Sequence, residues 1–184
     1  MALDWNTLLV DQLDWHWRHQ LRGRLDGLTD DEFLWEPVPD CWSVRPRGTG
    51  TAPVQAGSGD FTIDWAYPEP VPAPVTTIAW RLGHLLVGVL GARNASHFGG
   101  PPVDYMTYVY PGTAAEALDR LDAAYARWTT GVRALGEEGL VRPCGEDGYE
   151  KEPMAALVLH INREMIHHGA EIALLRDLYA HRAG

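Results

Sequence analysis

The residues best suited to chemistry lie together on one predicted helix, Met154 to Tyr179. Met154, Leu157, Ile161, Ile172, Leu175 and Leu178 recur there at helical spacing, and Glu164 and His168 interrupt the stripe half-way along. Four residues apart, these two side chains project from one face and reach a single ion. A buried carboxylate without a partner is costly, so Glu164 at this depth requires a counter-charge or a metal. A second apolar segment, Ile78 to Ala92, is broken chiefly by Arg81 and His84. One histidine from that segment and the Glu164-x-x-x-His168 pair make three ligands of the types zinc takes. A fourth coordination position is left for water or substrate, as in catalytic zinc sites. The set also suits non-haem iron. The plainer alternatives are a hydrogen-bonded core histidine at 84 and a buried ion pair at 164 and 168. Their joint occurrence on two otherwise apolar helices favours the metal.

Two further residues are candidates for the same site. His160 lies one turn before Glu164, displaced around the helix axis by roughly 40°. Arg81, one turn before His84, either pairs with an acidic residue of the first helix or anchors an anionic substrate. His167 is rotated off the face and reads as a supporting or surface residue. His16, His19 and His97 read as surface or helix-end positions.

Four long helical patterns must position these groups, separated by Pro/Gly-rich connections. The first runs from about Leu3 to Leu28 and is stopped by Gly27. Thr29 and Glu32 form a capping box for a short helix through Trp35. The second runs from near Val75, capped by Thr76 or Thr77, to His97. The third runs from Thr113, boxed with Glu116, to about Leu135, where Gly136 and Gly139 close it. The fourth follows Pro153 and reaches about His181. The expected fold is all-α: one domain over residues 1–184, an up-down four-helix bundle. A long Pro/Gly-rich connection over residues 37–74 is expected to be irregular and lid-like, with a short strand or hairpin at Phe61–Trp65.

Composition narrows the function. The formal net charge is −10, with acidic residues spread along the whole chain. Nucleic-acid binding needs a basic surface that displaces counterions, so no such partner is expected. No apolar run approaches the ~18 residues of a membrane span, and the first residues lack the apolar core of a signal peptide. Cys41 and Cys144 are too few for a disulfide framework and are expected as reduced thiols. The expectation is a cytoplasmic protein with a small-molecule substrate, no nucleic-acid or membrane partner, and a homodimeric state.

Three segments carry a resemblance to the DinB/YfiT-like superfamily of four-helix metalloproteins. They are Phe33–Pro39 with Trp42-Ser43-Val44, then Thr77–His84, then Leu159–Ile172. Many members bind metal through three histidines, and this sequence departs from them in having Glu164 at one such position. The resemblance implies that a His/Glu/His set still binds metal, as in the related mycothiol-dependent maleylpyruvate isomerase family. It implies a divalent ion, zinc first, with nickel or iron as alternatives. It also implies an activity that uses a low-molecular-weight thiol such as mycothiol, bacillithiol or glutathione, as S-transferase or isomerase. The alternatives are metal-dependent hydrolysis by a bound hydroxide, and a non-enzymatic small-molecule binding or stress-response module.

Overall fold

The computed structural model describes residues 3–182, so Met1, Ala2, Ala183 and Gly184 lie outside the described residues. The chain is mostly helical. Helix α1 (Trp5–His16) starts where the Asp4 carboxylate accepts from the Thr7 N–H, and runs on through a π-turn (Trp17–Leu21) and a 3-10 turn (Arg22–Leu25). Gly27, at φ 71°, then turns the chain. Thr29 caps α2 (Asp30–Phe33) by accepting from the Glu32 N–H. The Glu32 carboxylate does not close the expected box. It forms a bidentate pair with Arg176 on α6 (Met154–Ala180), at 2.6 and 3.1 Å.

The connection over residues 37–74 departs from the irregular segment expected. It holds a three-stranded antiparallel sheet, β1 (Val44–Pro46), β2 (Val54–Ala56) and β3 (Phe61–Trp65), in the order β1-β3-β2. Ile63 faces Val44 on one side and Ala56 on the other. Only the Phe61–Trp65 strand shows the alternation that marks a strand. The three-residue partners are too short to show a period and gain their order from pairing. The buried Asp64 carboxylate ties the sheet together, accepting from the Ser43 N–H, Arg45 Nε and Gln55 Nε2 at 2.9, 3.0 and 2.6 Å. The sheet is fastened to the start of α3 (Ile78–His84). Trp42 N–H donates to the Val75 carbonyl, Thr77 N–H to the Trp42 carbonyl, and Trp80 Nε1 to the Asp64 carbonyl. The segment is thus a packed wall beside α3, where a lid had been expected.

Thr77 caps α3, which passes through a π-turn (Leu85–Val89) into α4 (Leu90–His97). The Thr113 hydroxyl accepts from Glu116 N–H to start α5 (Ala114–Leu140). The expected stop at Gly136 appears as a break at φ 60°, ψ −177°, beyond which a last turn continues. Helix α1 packs on α5 and α6, and α3 packs on the same two helices from elsewhere around them. Leu13, Leu21, Leu82, Leu85, Leu121, Trp128 and Ile161 fill the space between, all essentially buried. Buried asparagines bridge helices by donating to backbone carbonyls: Asn6 Nδ2 to Val132 and Asn162 Nδ2 to Leu9. The stripe of α6 ends earlier than expected, since Leu178 is exposed. Cys41 and Cys144 are free and buried. No helix among the described residues is long and apolar enough to cross a membrane.

Candidate metal centre

His84 is the last residue of α3, where the π-turn begins, and Glu164 and His168 face it from the middle of α6. One donor atom from each lies within 4.8 Å of the other two. The imidazole rings of His84 and His168 meet edge to face, with centroids 4.8 Å apart. His168 Nε2 lies 3.5 Å from Glu164 Oε2. Its Nδ1 is 2.7 Å from Glu171 Oε2, so the Nδ1–H donates to that carboxylate and Nε2 keeps its lone pair. His84 Nδ1 lies 2.7 Å from the Tyr105 hydroxyl; with the Nδ1–H donating to the phenol oxygen, Nε2 carries the free lone pair. Trp80 stacks on the His84 ring at 5.5 Å and 17°, and Trp42 packs against Trp80.

The donor set fits a divalent ion. A tetrahedral ion with bonds of about 2.1 Å holds its donors about 3.4 Å apart, so modest side-chain adjustment closes the observed spacing. Ligation needs neutral imidazole. Burial pushes the His84 pKa down to about 4, with the neighbouring His168 and Arg81 lowering it further against Glu164 and Glu171. Imidazole 84 is therefore neutral across the physiological range. A second group, His167, His168 and Glu171, has similar spacing. There Arg81 lies 3.1 Å from Glu171 Oε2 and 3.4 Å from His168 Nδ1, so a guanidinium already supplies the positive charge.

The other sequence candidates fall beside the cluster. Arg81 pairs with Glu171 of α6, which corrects the expectation of a partner on the first helix and leaves the guanidinium committed to a protein carboxylate. His160 stays outside the three-ligand group. Its Nδ1 is 2.6 Å from Arg163 Nη2 and 3.6 Å from Glu164 Oε1. Both His160 and Arg163 line a cleft of about 520 Å³, shared with Arg93, Cys144, Glu146 and Tyr149. Glu164 thus turns one oxygen to His168 and the other to the cleft wall. Within the cleft Glu146 is already matched, 3.2 Å from Arg93 and 2.9 Å from His97.

Sequence reasoning missed Glu171 and Tyr105. Glu171 lies three residues beyond His168, a spacing that places a carboxylate beside the ring and could have revealed it. Tyr105 belongs to an irregular segment with no period, so nothing in the sequence ties it to His84.

These elements come in the order that the three resembling segments imply, with the histidines and carboxylate facing one another. A family model described as DinB superfamily matches residues 12–172. The chain belongs to the DinB superfamily. No curated protein and no solved structure matches it significantly. DinB superfamily members are often metal-dependent, and this one carries a His/Glu cluster with the composition and spacing of a metal site.

Proposed function

We propose that this chain is a zinc-dependent enzyme that joins a low-molecular-weight thiol to a small electrophile, by S-transfer or thiol-assisted isomerisation. The observation that carries the reading is the convergence of His84, Glu164 and His168, with Glu164 Oε1 3.6 Å from His160, which lines the neighbouring cleft. We further infer that the four long helical segments run up and down as a bundle and bring the ligands together from two of them. A divalent ion bound there lowers the pKa of a coordinated thiol or water and so supplies a nucleophile at neutral pH.

The protein's own groups then divide the work. His84 and His168 would present Nε2 donors, and Glu164 would offset part of the ion's charge. Glu171 holds the His168 ring in its ligating orientation and stays charge-matched by Arg81. With Glu164 committed to an ion, His160 and Arg163 would be the cationic or hydrogen-bond-donating groups on the cleft wall available to an anionic group of the thiol cosubstrate. The cleft volume falls within the range of small-molecule sites, roughly 300–1,000 Å³.

Conjugation of mycothiol, bacillithiol and glutathione to 1-chloro-2,4-dinitrobenzene tests the reading. The expected result is turnover with at least one thiol, lost on chelation and regained with zinc. Glu164→Gln should weaken zinc binding and alter turnover in the fraction that stays loaded. Absence of turnover with all three thiols on a fully loaded protein would overturn the thiol reading and favour hydrolysis or simple binding. Activity surviving both chelation and Glu164→Gln would place the chemistry elsewhere.

A further inference from the structure

The helix that carries His84 widens immediately after it, and the widened turn contains a glycine in an unusual place. The π-turn Leu85–Val89 exposes Gly88 on the side facing residues 101–110. A Cβ at Gly88 would lie 2.1 Å from the Tyr105 hydroxyl oxygen and 3.3 Å from His84 Cε1. No side chain fits there, and the missing one leaves a notch that the phenol fills. From the notch the Tyr105 hydroxyl reaches His84 Nδ1 at 2.7 Å.

The rest of Tyr105 is held as firmly as its tip. Its ring lies against Trp65 of β3, with centroids 6.1 Å apart and planes 30° from parallel. Its carbonyl accepts from the Tyr110 hydroxyl, and Asp104 organises the turn by accepting from the Met106, Thr107 and Tyr108 N–H groups. An imidazole whose Nδ1–H donates to the phenol oxygen offers Nε2 to an ion, the arrangement that the Glu171 carboxylate imposes on His168 on the opposite side. The two histidines would then be oriented by two different devices, a carboxylate one turn away and a phenol inserted from a distant loop.

We propose that Tyr105, seated in the notch of Gly88, is a positioning residue that fixes the ring of His84 so that Nε2 faces the metal cluster. The inference rests on the metal reading above, and its test separates the two. Zinc affinity, measured by competition with a chromophoric chelator, should fall about 10- to 100-fold in Tyr105→Phe, the range for losing an orienting partner. Thermal stability should change little, because the phenyl ring keeps its place against Trp65. Gly88→Ala should weaken zinc binding comparably by expelling the hydroxyl. In the Gly88→Ala/Tyr105→Phe double variant the two losses should be clearly less than additive.

Nitrogen-15 NMR of the imidazoles supplies a readout independent of metal. In metal-free protein, Tyr105→Phe should shift the His84 Nδ1 resonance and leave His160 and His167 unmoved. Unaltered His84 resonances, or wild-type zinc affinity in Tyr105→Phe, would overturn the proposal. A wild-type chain that binds no zinc, yet whose His84 resonances respond to Tyr105→Phe, would overturn the metal reading and leave the hydroxyl contact standing.

Discussion

On the proposed metal reading both histidines of the cluster would ligate only while their rings are neutral and held from behind, so the residues behind them are as testable as the histidines. His84→Ala and His168→Ala should each sharply lower zinc content while helical circular dichroism stays largely intact. Full occupancy in either variant would remove that residue from the set. Glu171→Gln retains an acceptor oxygen but loses the charge that holds the His168 Nδ1–H. It should lower zinc affinity by about 10- to 100-fold and leave Arg81 without its carboxylate. An affinity unchanged by Glu171→Gln would show that packing alone orients His168. At this scale the cluster was legible in the sequence, because Glu164, His168 and His84 interrupt apolar helical stripes, where polar residues need a reason. Tyr105 was not legible, since its contact with His84 depends on the missing Cβ of Gly88, in another element, rather than on any local pattern.

Among the elements, the caps were the most readable features. Thr29, Thr77 and Thr113 each accept the N–H three residues on, as their side chains and positions required. The sheet was less readable, because three-residue strands carry no period and Asp64 binds them through partners on separate segments, Ser43, Arg45 and Gln55. Glu32 shows how tertiary structure overrides a local motif. Its capping-box role gives way to a buried pair with Arg176, whose Nη1 also donates to the Arg24 and Asp26 carbonyls. Glu32→Ala strands the guanidinium and should destabilise the fold by about 3 kcal/mol, seen as a lower urea midpoint. Replacing both partners with apolar residues, as in Glu32→Met/Arg176→Leu, should recover much of that loss. A loss below about 1 kcal/mol for Glu32→Ala would place the pair with ordinary exposed ion pairs.

For the whole molecule, pH couples to stability through the buried imidazole. His84 titrates near 4 in the folded metal-free protein, because burial disfavours its charged form, and near 6.5 when unfolded. Between those values the unfolded chain binds the extra proton, so this contribution is complete above pH 6.5 and is lost as the pH falls toward 4. Burial lowers the His16 pKa as well, which acts in the same direction. Denaturation midpoints of metal-free protein should therefore decline between pH 6.5 and 4, and less so in His84→Gln. A profile that is flat across that window, or the same slope in the variant, would show that His84 titrates as it does in water.

His84 and the α6 pair come from segments eighty residues apart in the chain, joined only in the folded state. An ion held between them is a reversible cross-link, closing a loop that contains α4, α5 and their connections. The unfolded chain cannot offer the same three donors together, so free ion stabilises only the folded form. Each tenfold rise in free ion above its dissociation constant then adds about 1.4 kcal/mol to the folding free energy. On the proposed metal reading, the same residues that would activate a nucleophile would make the stability of this protein a gauge of the metal supply around it.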